Sequence, residues 1–121
     1  MNHSYENLQL DFPEEGVAKI TLARPESLNA LTYELVKELH EVLDQVDQDH
    51  DVRAIIITGS GRGFCAGLDL KGFGQVPWTE EFGEQQRGMA IQQYIADLVH
   101  HMRDVRQPII AAINGAAAGG G

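Results

Sequence analysis

VRAIIITGSGRGFCAGLDL, residues 52–70, decides the architecture of this chain. Its first seven residues form an apolar, β-branched run with a continuous AIII centre. Such a run reads as a strand covered on both faces, the pattern of a parallel sheet. It then opens into glycines, which let a backbone approach a ligand closely and adopt positive φ. A second instance follows at residues 107–121, QPIIAAINGAAAGGG, where an apolar run after Pro108 again opens into small residues.

Upstream, VAKITL (residues 17–22) reads as a strand that ends at Arg24-Pro25, because proline cannot donate to a ladder. Thr32 is placed to cap a helix, with Glu34 in its first turn. Leu35, Val36, Leu39, Val42, Leu43 and Val46 recur at helical spacing and make one apolar face. Glu38, Glu41, Asp44, Gln45 and Gln48 make the solvated one. Residues 47–51 read as a polar turn. Residues 72–88 hold glycines, Pro77, Trp78 and several acids without a period, and read as a surface loop or lid. Ile91, Ile95, Leu98, Met102 and Val105 mark a second amphipathic helix, separated by Pro108 from the last strand.

The order strand, helix, strand, loop, helix, strand is an α/β arrangement of parallel crossovers. Right-handed crossovers place both glycine loops at the carboxyl ends of parallel strands. If those strands are neighbours, the loops face one crevice. A loop that turns into a helix leaves N–H groups without partners. Two such loops could aim two N–H groups at one oxygen, the geometry of an oxyanion hole. The same glycines could equally make plain tight turns.

Composition narrows the possibilities. The 121 residues suit one ordinary domain, and 43% are hydrophobic, enough for a globular core. Eighteen acidic against nine basic residues give a net charge of −9. That argues against a nucleic-acid or anionic-membrane partner, which needs clustered Lys and Arg. The single cysteine, Cys65, allows no intrachain disulfide, and its place in the loop suggests packing rather than nucleophilic attack. No apolar run approaches the roughly 20 residues of a membrane span. The N-terminal residues show no secretory signal pattern, so a reducing, cytoplasmic setting is expected.

Other candidates carry less. Gly61-Arg62-Gly63-Phe64-Cys65-Ala66 satisfies the degenerate dinucleotide pattern, yet it follows the second strand and no immediate helix pattern comes after it. His100 and His101 are adjacent and point apart on a helix. With His3, His40 and His50 they form no metal-ligand spacing, so no metal is expected. Glu80, Glu81 and Glu84 read as solvated. Asp69 reads as a turn or capping carboxylate before it reads as a catalytic or metal-binding group.

ARPESLNAL (residues 23–31), GFCAGLDL (63–70) and QPIIAAINGAAAGGG (107–121) resemble, in order and spacing, three successive signature blocks of the crotonase family, the enoyl-CoA hydratase/isomerase superfamily. The resemblance runs from about Val17 onward and covers the first half of a typical family domain. It implies an α/β crotonase-like spiral of ββα units, here incomplete, with residues 1–121 as its N-terminal part. It implies an acyl-CoA or enoyl-CoA thioester as ligand, with coenzyme A entering as part of the substrate and no further cofactor. It also implies homotrimers or hexamers.

By motif position, the resemblance implies that Leu68 and Gly120 hold the thioester oxygen through their main-chain N–H groups. Ala66, Leu68 and Leu70 match positions that meet the adenine and pantetheine arms. Ser27, Leu28 and Ala30 match the stretch along CoA. Gly67, Asp69, Ala116 and Gly119 belong to the same binding blocks. Arg24 is either a cation for a CoA phosphate or a plain surface residue. The two glutamates that family hydratases use for acid–base work would lie beyond Gly121. The family's reactions differ mainly in those residues; the resemblance implies hydration as the parent reaction, with isomerisation, another crotonase-type reaction or non-catalytic acyl-CoA binding as alternatives. If Gly121 were the terminus, its carboxylate beside the Gly120 N–H would oppose an oxyanion, and the 121-residue chain alone would be inactive.

Overall fold

The computed structural model describes residues 5–121. His3 and the extreme N-terminus, read above for ligand spacing and signal pattern, lie outside them. Four strands form one mixed sheet: β1 (Leu8–Glu14), β2 (Val17–Leu22), β3 (Ala54–Gly59) and β4 (Ile109–Ala112), in spatial order β1-β2-β3-β4. β1 runs antiparallel to β2, while β2, β3 and β4 are mutually parallel. Helix α1 (Tyr33–Asp47) connects β2 to β3, and α2 (Glu84–Asp104) connects β3 to β4.

α1 forms for the reasons its sequence suggests. Thr32 has extended backbone, and its hydroxyl accepts the Leu35 N–H at 3.3 Å. The six apolar positions of its stripe are all buried. They pack on Ala18, Ile20 and Leu22 of β2 and Ile55 and Ile57 of β3, the inward set of each strand. Burying each large aliphatic side chain contributes about 1.5–3 kcal/mol. Gln107, itself buried, donates to the Val46 carbonyl at 2.9 Å and the Val52 carbonyl at 3.2 Å. It thereby ties the end of α1 to the start of β3, just before β4.

Three features differ from the sequence expectation. β1 is an additional strand, which Pro13 and its run of acids disguise; as an edge strand it tolerates a proline. Gly16, at φ +83°, makes the tight turn into β2. β3 is buried on one face only, because both helices lie on that face: Ile57, Ile109 and Ala111 share a groove with Ile95, Val99 and Met102 of α2. Finally, α2 starts at Glu84, so a helix takes the last part of the 72–88 stretch. The rest of that stretch is packed, with Phe73, Val76 and Thr79 buried. Pro77 starts a 3-10 turn, and the Arg87 guanidinium donates to the carbonyls of Thr79, Glu80 and Phe82.

Candidate active site

The segments after β2, β3 and β4 meet at the carboxyl ends of the parallel strands. The first is a 3-10 turn, Pro25–Ser27, followed by Leu28 and Asn29 at positive φ (53° and 56°). Left-handed backbone at two non-glycine residues costs of order 1–3 kcal/mol each and needs strong support. Asn29 supplies it. Fully buried, it accepts the Arg24 N–H at 2.7 Å and donates to the carbonyls of Ser60 and Gly63, each at 3.0 Å. This residue fastens the first loop to the second, a role that sequence reading missed.

Backbone bonds complete the join. Leu31 N–H donates to Gly67 O at 2.7 Å, Ala66 N–H to Leu28 O at 3.0 Å, and Asp69 N–H to Leu31 O at 3.0 Å. Leu31 and Leu68 thus form an isolated parallel bridge. The β3 and β4 loops are joined the same way. Phe64 and Cys65 N–H both donate to Ala116 O, and Ala118 N–H donates to Cys65 O at 3.0 Å. Asn114, also unremarked in the sequence, accepts the Gly59 N–H and donates to Gly61 O and Gly63 O. A Cβ on Gly115 would overlap the carbonyl oxygen of Arg62, so only glycine allows this approach.

Among the described residues, several N–H groups of this junction make no protein hydrogen bond, including those of Leu68 and Gly120. Leu31 and Ile95 wall the Gly120 backbone: a Cβ there would stand 3.0 Å from Leu31 Cδ1 and 3.7 Å from Ile95 Cγ2. Two hollows flank the loops. A cavity of about 340 Å³ is lined by Ser27, Leu28, Ala30, Ala66, Leu68, Asp69 and Leu70, together with Glu26 and Lys71. The seven residues first named were singled out from sequence, and the fold brings them together. On the other side, an apolar groove of about 1050 Å³ is lined by Gly119, Gly120, Phe64 and the inner face of α2. Gly67, Ala116 and Arg24 line neither hollow; they hold the loops from behind.

Arg24 is committed elsewhere than to solvent. Its guanidinium donates to Ala30 O and, at 3.0 Å, to Asp69 Oδ2, and both side chains of this ion pair are largely buried. Asp69 also accepts the Lys71 N–H at 2.9 Å. That backbone bond first, and the Arg24 guanidinium second, hold its carboxyl below the usual carboxylate range. Asp69 is therefore a turn carboxylate that braces the second loop. Lys71, which sequence reading passed over, is the exposed cation at the rim of the smaller cavity.

Cys65 is buried, and burial pushes its thiol up, away from a reactive thiolate. The G-x-G-x-x-A run leads into turns rather than a helix; the next α-helix begins only at Glu84. Glu80, Glu81 and Glu84 are exposed. Among the described residues, no group of three or more His, Cys, Asp or Glu is arranged to hold a metal ion. No helix among them is long and apolar enough to cross a membrane.

A small mixed sheet with two helices on one face, and glycine loops meeting at the strand ends, is the front part of a crotonase-type acyl-CoA fold. The chain belongs to the enoyl-CoA hydratase/isomerase family, whose model matches residues 13–121. It is 43% identical over 112 residues to a probable enoyl-CoA hydratase, echA12, of Mycobacterium leprae, covering 93% of this chain and 38% of that protein. It is 39% identical to the 1,2-epoxyphenylacetyl-CoA isomerase of Escherichia coli, covering 93% of this chain and 42% of that protein. Among solved structures, a probable enoyl-CoA hydratase/isomerase from Mycobacterium abscessus superposes with a TM-score of 0.87 at 34% identity, over 95% of this chain and 42% of that one. An enoyl-CoA hydratase from Bacillus anthracis gives 0.81 at 36% identity, over 96% and 43%. The chain thus spans about two fifths of the length of these relatives.

Proposed function

We propose that this chain is the acyl-CoA-binding part of an enoyl-CoA hydratase, which adds water across the 2,3 double bond of an enoyl-CoA thioester. The observation that carries this reading is the pair of unpartnered N–H groups, Leu68 and Gly120, on two loops in backbone contact. When hydroxide adds to C3, electron density moves through C2 onto the thioester oxygen, and C2 then takes the proton. An oxygen held by both N–H groups gains charge during that step, so the two hydrogen bonds strengthen in the transition state. Each such donor is worth roughly 2.7–4 kcal/mol.

The smaller cavity suits the CoA moiety. It offers apolar contacts from Leu28, Ala30 and Leu70, and Lys71 at its rim for an anionic phosphate. The apolar groove beside Gly120 suits the acyl arm. Glu26 and Asp69 are the carboxylates at the smaller cavity, and Asp69 is held by Arg24 and the Lys71 N–H. Proton transfer is assigned to neither. The general acid and base are expected on residues that this sequence does not include, so a polypeptide of these 121 residues binds acyl-CoA without turnover. Assembly into homotrimers or hexamers, a cytoplasmic setting and a place in fatty-acid β-oxidation complete the proposal.

A second reading, enoyl-CoA isomerisation or another crotonase-type reaction, is favoured by the isomerase relative at nearly the same identity. Product analysis separates the two. In a longer polypeptide that carries this chain together with the acid and base, an enoyl-CoA should give the 3-hydroxyacyl-CoA, and Gly120→Pro, which deletes one N–H, should lower kcat about 10²–10³-fold. A shifted double bond without hydration would favour the second reading. An unaltered rate in Gly120→Pro would remove the assigned oxyanion site.

A further inference from the structure

Helix α2 is held to the molecule along a narrow seam. Leu98 is the only one of its residues to be fully buried, and Met89 and Val99 are exposed. Across that seam His101 of α2 meets His40 of α1. Their Nδ1 atoms stand 2.7 Å apart, and the rings stack with centroids at 5.0 Å and planes at 22°. Two ring nitrogens at this distance share a hydrogen bond, and one of them must donate.

The outer nitrogens complete the count. His40 Nε2 lies 3.5 Å from the Tyr94 carbonyl oxygen, and His101 Nε2 lies 2.8 Å from Asp44 Oδ1. Both partners only accept, so both Nε2 atoms carry hydrogen. With one Nδ1 also donating, three of the four ring nitrogens are protonated: one ring is neutral and the other an imidazolium. Asp44 stands on the His101 side of the pair and the Tyr94 carbonyl on the His40 side, so the two rings together hold three hydrogens.

The charges around the pair are mostly acidic. Asp44 faces it from α1 and Asp97 from α2, and Glu41 lies beside Tyr94. Lys37 and Asp104, one turn away along the two helices, are exposed. Burial pushes His40 below its ordinary value, opposed by the Tyr94 carbonyl and by Asp97 and Asp44, and assisted by His101. A group with a lowered folded value stabilises the fold fully above about pH 6.5, and that contribution is lost as pH falls through the window below.

We propose that His40, His101 and Asp44 form a proton-holding clamp between α1 and α2, closed while one ring is neutral and opened when both are protonated. The clamp also carries a reporter. The Tyr94 ring packs on His40 at 5.1 Å, and Trp78 stands edge-on to Tyr94 at 4.9 Å, so the stack runs from His101 to the 72–83 segment. Opening the clamp loosens Trp78, the one tryptophan of the chain.

Two measurements test this, and neither needs a ligand. In nitrogen-15 spectra of the protein near neutral pH, the His40–His101 pair should show three of its four ring nitrogens protonated. Trp78 emission, followed between about pH 8 and pH 5, should change in one step below about pH 6.5. The step should shrink at least threefold in His40→Phe, which keeps the ring stack but cannot take a proton. Asp44, exposed at the surface, offers a variant that spares the core; in Asp44→Asn, the pair should lose one ring proton. Only two ring protons on the pair in the unaltered protein, an unchanged step in His40→Phe, or an unchanged ring-proton count in Asp44→Asn would each overturn the clamp.

Discussion

Gly67 lies against Gly119: a Cβ built on Gly119 would fall 3.6 Å from Gly67 Cα, and one on Gly67 would fall 3.0 Å from Ala118 O. The loops after β3 and β4 therefore touch backbone to backbone, with no side chain between them. This contact brings the Leu68 and Gly120 segments to one place.

Gly67→Ala should damage function more than stability. Its φ of +94° and its contact with Ala118 O leave a Cβ strained, and the loop must shift to relieve it. A displacement near 1 Å at a positioned donor can cost about 10²-fold in rate. In the proposed hydratase, kcat should fall by that order, while the melting temperature drops by only a few degrees. A kcat equal to that of the unaltered protein would detach this loop from the chemistry.

Gly115→Ala and Gly88→Ala should move stability in opposite directions. At Gly115 a Cβ overlaps the Arg62 carbonyl, so the β4 loop must part from the β3 loop, with a loss of about 2–4 kcal/mol expected by urea unfolding. At Gly88, in the first turns of α2, nothing lies within 4 Å. Alanine there should raise stability by up to about 1 kcal/mol through helix propensity. Equal effects at both sites would mean that the loops do not pack as described.

Asn29→Ala should be among the costliest substitutions. It leaves the Arg24 N–H and the carbonyls of Ser60 and Gly63 without their partner in a buried place, and it withdraws support from two left-handed residues. A loss of about 3 kcal/mol or more by denaturant titration is expected. A loss below about 1 kcal/mol would show that water replaces the side chain.

Arg24 and Lys71 should separate stability from ligand binding. Arg24→Ala removes the partner of Asp69 and should lower stability. Lys71→Ala, at an exposed position, should leave stability unchanged and weaken acyl-CoA binding several-fold at low salt, less at high salt. Because the Asp69 carboxyl is held below its ordinary value, its stabilising contribution is full above about pH 4 and is lost as pH falls through the folded value. Asp69→Asn should therefore flatten the acid limb of the stability profile, which melting curves between about pH 5 and pH 2 would show.

Much of this fold is legible in local pattern. The six buried positions of α1, its Thr32 cap and the β2 and β3 runs follow from periodicity, because burial on one face imposes a period. β1 escapes that reading, since Leu8, Leu10 and Phe12 alternate only until Pro13 interrupts them, and edge position excuses the proline. Asn29 and Asn114 escape it for another reason. An asparagine that bonds carbonyls of a distant loop looks, in sequence, like any turn asparagine.

The sequence by itself determined the α/β order, the two glycine loops and the blocks that resemble an acyl-CoA site. These rest on residue type and spacing along the chain. Only the tertiary structure decided that both helices share one face, that Arg24 is spent on Asp69 while Lys71 faces solvent, and that His40 meets His101. Those outcomes depend on which distant groups reach hydrogen-bond distance, and that is settled by packing of the whole chain rather than by any local period.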